Sequence, residues 1–140
     1  MPEESTTPDL VELTHGAVKP GNSRDLDAAT SFYASDAVLD ASSVGLGTFE
    51  GLAAIRGFFE DWIGSYAEFE IEPEQVLDLG NGVAFTVVPQ SGRPTGSTGR
   101  VQVRYATVLV WEEGVIVRCT NYIDIDEARA AAERLAEERG

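Results

Sequence analysis

Apolar residues recur at helical spacing in four stretches of the chain and alternate with polar residues in several others. The clearest helical pattern runs from Leu52 to Tyr66, where apolar side chains form one wide face. Weaker patterns predict a helix from Asp9 to about Val18, a second helix capped by Asp25, and an alanine-rich last helix capped by Asp124 or Asp126. Because a wide apolar face needs a large partner surface, we expect the third helix to lie on a sheet.

The alternating stretches are typical of strands, and turn residues separate them. Asn81-Gly82 is a strong signal for a two-residue hairpin turn, and Glu113-Gly114 is the expected turn of a second hairpin. The glycine-rich segments Ser43–Gly51 and Ser91–Gly99 are expected to be loops, the first of them alternatively a ragged hairpin. The predicted strands are Ala37–Ala41, Phe69–Leu79, Val83–Gln90, Val101–Trp111 and Val115–Asp124.

This order of elements predicts an α+β fold in which a strongly curved antiparallel sheet wraps around the long third helix. The expected shape is a cone-shaped α+β barrel with N-terminal helices and a C-terminal helix. Residues 1–8 are polar and acidic, and we expect them to form a disordered leader. Residues 9–140 are expected to form a single domain, since their number suits one hydrophobic core.

The second hairpin also predicts which side chains share a face of the sheet. Regular pairing around its turn places Arg104 opposite Ile123, and Ala106 opposite Asn121. Arg104 and Asn121 would then point in the same direction, and both faces of the hairpin would be too apolar for open water. We therefore expect one face to line an internal pocket and the other to form a homodimer interface through the outer sheet face.

Acidic residues outnumber basic residues by 24 to 10, which gives the 140-residue chain a formal net charge of −14. This charge repels nucleic acid and anionic lipid, so neither a nucleic acid nor a membrane is an expected partner. No apolar run approaches the roughly 18 residues that span a bilayer, and no signal-peptide pattern is present, which predicts a cytoplasmic protein. Cys119 is the only cysteine, and no metal site or cofactor is expected.

Three segments resemble a known superfamily: Phe32–Asp40 (FYASDAVLD), Phe49–Trp62 (FEGLAAIRGFFEDW) and Gly114–Ala128 (GVIVRCTNYIDIDEA). They are similar to the nuclear transport factor 2-like superfamily, especially its SnoaL-like members. Relatives in that superfamily include ketosteroid isomerases, polyketide cyclases and limonene-epoxide hydrolases. The resemblance covers the chain from about residue 10 onward and implies a curved sheet around one pocket. The fold hosts enzymes and non-enzymes alike, so it does not by itself imply a reaction.

The resemblance also implies where catalytic residues would lie. The isomerase base falls on Ala41, and Asp40 takes that role only if a one-residue bulge rotates it inward. The arginine–aspartate pair of the epoxide hydrolases falls on Val88 and Gln90, and the acid of the cyclases falls on Asn121. Asp40 is therefore the one candidate catalytic residue, and the alternative is a solvated carboxylate at a strand edge or a partner of an arginine.

The expected pocket is mostly apolar. Phe59 and Trp62 lie on the sheet-facing side of the third helix, and Tyr33 and Phe59 fall where the isomerases have supporting tyrosines. Arg104 would bind an oxygen of the ligand or, alternatively, lie at the pocket mouth beside an acidic residue. Asn121 would bind the ligand or make a structural hydrogen bond. The candidate ligand-binding residues are Tyr33, Phe59, Trp62, Gln90, Arg104 and Asn121.

The leading hypothesis is a SnoaL-like protein that binds a small apolar or ring-containing molecule with one oxygen or carboxylate. If it is an enzyme, it is expected to be an isomerase or cyclase that transfers a proton next to a carbonyl. Asp40 would then be the base, and Arg104 and Asn121 would stabilise charge on oxygen. One alternative is a non-catalytic dimeric binding or assembly module. A second alternative is epoxide hydrolysis by a rearranged acid pair.

Overall fold

The structure is a computed structural model, and it describes residues 10–18 and 25–140. The leader predicted for residues 1–8 and the helix break predicted for residues 19–22 lie outside these ranges. Within them, no helix is long and apolar enough to cross a membrane.

The described residues form four α-helices and seven β-strands. The helices are α1 (Leu10–Val18), α2 (Leu26–Ser31), α3 (Leu52–Gly64) and α4 (Ile125–Arg139). The strands are β1 (Tyr33–Ala41), β2 (Gly47–Glu50), β3 (Tyr66–Ile71), β4 (Gln75–Gly80), β5 (Val83–Pro94), β6 (Val101–Glu112) and β7 (Val115–Tyr122). A short 3-10 turn, Ser42–Val44, connects β1 to β2.

The seven strands form one strongly curled sheet in the order β2-β1-β7-β6-β5-β3, and β4 also pairs with β5. Helix α3 lies against the concave side of this half-barrel, where it contacts β1, β2 and β3. The predicted α+β class is therefore confirmed. One detail differs from the expected antiparallel sheet, because β1 and β7 run parallel and the sheet is mixed. A parallel neighbour needs a long connection, and here that connection contains α3 and five strands.

The two predicted helix caps identify where α2 and α4 begin. The Asp25 carboxylate accepts a hydrogen bond of 3.0 Å from the backbone N–H of Ala28. The Asp124 carboxylate accepts an equivalent bond of 3.0 Å from the backbone N–H of Glu127. Both are N-cap contacts, which satisfy a backbone donor that the first turn of a helix leaves unpaired. Asp124, and not Asp126, therefore starts the last helix.

Several boundaries depend on pairing that local composition does not reveal. The predicted strand at Ala37 begins earlier, at Tyr33, and Tyr66 begins β3 instead of ending the third helix. Strand β5 continues to Pro94 through the predicted loop, because Ser91 and Gly92 pair with β3 on one side and β6 on the other. Backbone pairing on both sides outweighs the low strand propensity of serine and glycine.

A β-bulge corrects the predicted register of the second hairpin. Thr107, and not Ala106, lies opposite Asn121, because the pairing shifts by one residue at Val117 near the turn. A shift of one residue exchanges the two faces of a strand. The prediction that Arg104 and Asn121 share a face is therefore wrong.

The sheet buries apolar side chains on both faces. On the concave side, Leu39, Leu109 and Ile116 pack with Ile55 and Phe58 of α3. On the convex side, three alanines of α4 lie on β5 and β6, and their small side chains let the helix approach closely. These alanines are Ala128, Ala132 and Ala136. The chain's own helix therefore covers much of the outer face whose apolarity suggested a homodimer, and the homodimer stays a prediction.

We expect Gly82→Ala to destabilise the protein more than Gly114→Ala. Both glycines are the second residue of a hairpin turn, with φ of 81° and 84°, so alanine costs about 1–2 kcal/mol at either place. A Cβ at Gly82 would also collide with the carbonyl oxygen of Trp111, whereas nothing lies within 4 Å of one at Gly114. The collision should add about 1–3 kcal/mol to the loss in the free energy of unfolding, measured in urea. Equal losses in the two variants would contradict this close approach.

Candidate functional site

Two adjoining chambers lie on the concave side of the sheet, beside α3. The inner chamber has a volume of about 90 Å³ and the outer chamber about 160 Å³. Four residues are shared by the linings of the two chambers: Phe58, Trp62, Tyr105 and Asn121. The two chambers therefore meet at these side chains and form one candidate site.

Aromatic rings make up much of the wall between the chambers. Trp62 stacks on Phe58 with ring centroids 5.8 Å apart, and it meets the edges of Phe69 at 5.5 Å and Tyr105 at 6.3 Å. Phe59 lines the inner chamber, and its ring contacts the ring of Phe58. Flat apolar walls of this kind suit a flat apolar molecule.

Asn121 places an unused hydrogen-bond donor at the junction of the chambers. Its Oδ1 accepts a hydrogen bond of 3.0 Å from the Thr107 hydroxyl and lies 3.8 Å from the donating Cys119 thiol. Its Nδ2 donates to none of the described residues. An amide nitrogen carries two N–H donors, so Asn121 both makes a structural hydrogen bond and presents free donors to the chambers.

Gln90 contributes the complementary group, an unused acceptor. Its side chain is 4% exposed, and its Nε2 donates to the Tyr66 hydroxyl at 3.3 Å. Its Oε1 is buried and accepts no hydrogen bond from any described residue. The other two buried atoms of this kind, in Thr14 and Trp111, do not line either chamber. An unpaired buried polar atom costs about 1–3 kcal/mol, so this oxygen lowers the stability of the fold unless a further group pairs with it.

Three titratable groups of the chambers, Tyr33, Tyr105 and Cys119, are neutral near pH 7. Burial raises the pKa of the Tyr33 and Tyr105 hydroxyls above their ordinary values. Burial also raises the pKa of the Cys119 thiol to about 12, so the thiolate nucleophile is not formed. No Asp, Glu, His, Lys or Arg is found among the described residues that line the two chambers. These residues therefore supply no general base that works near neutral pH.

Asp40 lies on the opposite face of the sheet from the chambers, which corrects its assignment as the base. Pairing of β1 with β2 and β7 is regular from Val38 to Asp40, so no bulge rotates the carboxylate inward. Ala41 takes the inward position and is fully buried. Asp40 instead accepts hydrogen bonds from Ser42, and its carboxylate lies 3.1 Å from a guanidinium nitrogen of Arg118. The predicted alternative, pairing with an arginine, is the arrangement observed.

These contacts also set the charge state of Asp40. Hydrogen bonds from Ser42, followed by Thr48 and Arg118, lower the pKa of the carboxyl below its ordinary value. A general base near neutral pH needs a raised pKa. The electrostatics of Asp40 therefore agree with its position in assigning it a structural role.

Arg104 also lies away from the chambers. Its guanidinium makes two hydrogen bonds, of 3.0 and 2.6 Å, to the Glu74 carboxylate on the protein surface. The predicted alternative of an acidic partner therefore describes this arginine, and the corrected register explains why it does not meet Asn121. The other five candidate ligand-binding residues line the chambers: Tyr33, Phe59, Trp62, Gln90 and Asn121.

Sequence reasoning missed two groups of lining residues. The regular pairing predicted for the second hairpin implies that Tyr105 and Thr107 lie on the face opposite to Asn121, and the bulge at Val117, which brings them to the same face, leaves no mark in the hydrophobic pattern. Tyr66 was assigned to the end of a helix, although it begins β3 and lines the outer chamber. An aromatic residue directly after the glycine and serine that end α3 was the available signal for a strand start.

The sequence pattern of the SnoaL-like domain matches residues 21–119. None of the curated proteins matches the chain by sequence. Solved structures with similar folds are numerous, and the three described below share between 14% and 16% of their residues with this chain. Similarity at that level establishes the fold and leaves the activity open.

A hypothetical protein from Catenulispora acidiphila DSM 44928 has a ketosteroid isomerase-like fold and is in complex with trimethylamine. It is 16% identical, covers 91% of this chain and 94% of its own, and has a TM-score of 0.72. TerC, co-crystallised with polyporic acid, is 15% identical over 89% of this chain and 98% of its own, with a TM-score of 0.71. A putative SnoaL-like polyketide cyclase from Shewanella denitrificans OS-217 is 14% identical over 92% of this chain and 99% of its own, with a TM-score of 0.70.

We expect Asp40→Asn to lower the free energy of unfolding at pH 7 by about 1 kcal/mol, through weaker hydrogen bonds to Ser42 and Arg118. Because folding lowers the pKa of Asp40, its carboxylate stabilises the fold above the unfolded pKa, and this contribution is lost as pH falls through the folded pKa. The difference between wild type and variant should therefore shrink as pH falls below the ordinary pKa of an aspartate carboxyl, and it should disappear once Asp40 is protonated in the folded protein. Urea unfolding at pH 7 and in acid measures it.

Asp36→Asn is the matched control, because Asp36 is an exposed carboxylate on the same strand and has no hydrogen bond or ion pair with a described residue. It should leave stability unchanged at both pH values. A constant difference between wild type and Asp40→Asn across pH would contradict the assigned ionic contacts.

Proposed function

We propose that this chain, which belongs to the SnoaL-like domain family, is a non-catalytic binding protein for a small, uncharged ring molecule that carries a hydroxyl or carbonyl oxygen. The observation that carries the proposal is the pair of unused amide groups in otherwise apolar walls. Asn121 offers N–H donors at the junction of the chambers, and Gln90 offers a buried acceptor in the outer chamber. A hydroxyl or a carbonyl can satisfy the donor, and a hydroxyl can satisfy both.

The size of the chambers favours a single ring. An apolar cavity of about 150 Å³ is large enough to bind benzene. The outer chamber, at about 160 Å³, is close to that size, and the inner chamber of about 90 Å³ would hold a substituent on the ring. Trp62 and Tyr105 border both volumes and would contact the ring wherever it lies.

The absence of charge among the described lining residues favours an uncharged ligand. A carboxylate or ammonium that enters an apolar chamber loses its hydration and finds no opposite charge there. TerC with polyporic acid and the Catenulispora acidiphila protein with trimethylamine support the view that this fold encloses small molecules. The second of these suggests a rival ligand class for this chain, because aromatic walls attract alkylammonium ions.

The lining residues also favour binding over catalysis. Proton transfer next to a carbonyl needs a base, and the carboxylate proposed for it, Asp40, faces away from the chambers. Epoxide hydrolysis needs an acid, yet the inward positions that resemble the hydrolase site hold Val88, Gln90 and Asn121. None of these three side chains exchanges protons near neutral pH.

We expect 4-methylphenol to bind the protein, and Asn121→Leu and Gln90→Leu each to weaken its binding by about tenfold. Each variant removes one polar partner of the hydroxyl, and a hydrogen bond worth about 1–1.5 kcal/mol corresponds to roughly that factor. Toluene has the same shape without the hydroxyl, so its affinity should not fall in either variant. Titration calorimetry measures both ligands, and trimethylamine tests the rival class.

Asp40→Asn is the control for this experiment and should bind 4-methylphenol like wild type. Gln90→Leu also removes the unpaired Oε1, so we expect its unliganded form to be no less stable than wild type. This separates lost binding from lost folding. Tighter binding of trimethylamine than of 4-methylphenol, or unchanged binding in both leucine variants, would contradict the proposal.

A homodimer through the outer sheet face is our proposal for the assembly of this protein. Beside α4, a groove of about 450 Å³ stays open on that face. Its lining includes Val108, Val110 and Arg134, and Arg134 pairs with none of the described acidic residues. The groove contains apolar, basic and acidic side chains, and such a surface can pair with the same surface of a second copy around a twofold axis.

Sedimentation at micromolar concentration tests this assembly and is expected to give twice the mass of one chain. Arg134→Glu places a negative charge at an exposed position of the groove, and it should yield monomers because an unpaired charge is strongly unfavourable once an interface buries it. A monomeric wild type would exclude the dimer and leave the binding proposal unaffected.

A further inference from the structure

Exposed apolar side chains are concentrated at one place on the surface. Among the described residues, the large hydrophobic side chains that are exposed are Leu46 at 50%, Val101 at 43%, Val103 at 48% and Ile123 at 61%. Three of them, Leu46, Val103 and Ile123, line the outer chamber. We call these three residues the rim.

The rim is assembled from three separate parts of the chain. Leu46 follows the 3-10 turn after β1, and its backbone N–H donates to the carbonyl oxygen of Ala41 at 3.0 Å. Val103 lies on β6, and Ile123 lies between β7 and α4. Alternation along one strand does not produce such a cluster, so the fold brings these side chains together at the chamber.

The occupant of the rim follows from its size and its continuity with the chamber. A stable protein interface buries about 800 Å² on each partner, far more than three side chains provide. A net charge of −14 opposes attachment to an anionic membrane. The same outer chamber that contains Gln90 and Asn121 extends to the rim without a charged lining residue among those described.

We propose that the rim is a subsite for an apolar tail on the ring that the chambers hold, so that the ligand class is an alkyl-substituted phenol or cyclic ketone. This inference rests on the proposed binding function. The oxygen of the ring meets the two amides, and a tail on the opposite side of the ring leaves through the outer chamber and covers the rim. The tail removes both its own surface and the rim from water, which is the hydrophobic contribution to binding.

A series of 4-alkylphenols from methyl to hexyl tests the subsite, with affinities measured by titration calorimetry. Each added methylene should tighten binding to wild type by about two- to fourfold, the factor expected for partial to complete burial, until the tail outgrows the rim. The double variant Val103→Thr, Ile123→Thr should lose most of this gain, so that its affinities for the methyl and hexyl members differ much less than those of wild type. Threonine is β-branched like the residues it replaces, so the backbone at both positions should tolerate it.

Val101→Thr is the matched control, because Val101 is a similarly exposed residue of the same strand that does not line the outer chamber. It should keep the full dependence on chain length. An equal loss in Val101→Thr and in the double variant would show a non-specific surface effect and would overturn the subsite.

Two outcomes separate this inference from the function on which it rests. If 4-methylphenol binds but longer tails bind no tighter, the rim proposal is wrong and the binding function stands. If no member of the series binds, the binding function fails and the subsite fails with it. A second copy of the chain is the remaining possible occupant of the rim, and sedimentation of the double variant tests it. Conversion of a wild-type dimer to monomers would identify the rim as a contact between copies and would overturn the subsite.

Discussion

The alternation of side chains across one curled sheet is the constraint on which this structure depends. Each residue of a strand faces either the concave side with α3 or the convex side with α4, and both sides are packed. A single bulge at Val117, near the turn, determines which residues of β6 and β7 face the same side of the sheet. It directs Asn121, Thr107 and Tyr105 into the chambers and Arg104 out of them. The chemistry available inside the protein is therefore a consequence of strand register.

The interior that results contains amides and hydroxyls but carries no charge among its described lining residues. Amides occupy the inward positions that would otherwise be suited to carboxylates, and the buried hydroxyls and thiol keep their protons. The carboxylate of Asp40 is on the other side of the sheet, where hydrogen bonds and Arg118 stabilise its charge. Neighbouring residues of one strand can therefore lie on opposite sides of the sheet, one in an ionic exterior and the next in an uncharged interior.

The unpaired oxygen of Gln90 is the feature that the fold alone does not explain. Buried polar atoms in native proteins are almost always hydrogen-bonded, since an unpaired one reduces stability. Gln90 lies on β5 between β3 and β6, and its Nε2 already donates to the Tyr66 hydroxyl. On the binding function proposed above, a ligand donor that paired with Oε1 would recover this lost stability as affinity.

Much of the fold followed from local patterns, and most of the site did not. The face of α3, the caps Asp25 and Asp124 and the turn at Asn81-Gly82 were visible because helix periodicity, capping and turn geometry involve residues close in sequence. The strand ends at Tyr66 and Pro94 were not, because they depend on neighbours far along the chain.

By itself, then, the sequence determined the α+β class, the order of its main elements and the lack of a carboxylate at Val88, Gln90 and Asn121. These properties belong to residue identity and to local spacing. Only the tertiary structure decided that Asp40 and Arg104 face outward while Asn121 and Tyr105 face the chambers. The physical reason is that the direction of a strand side chain is set by hydrogen bonds to a neighbouring strand, and one bulged residue reverses it.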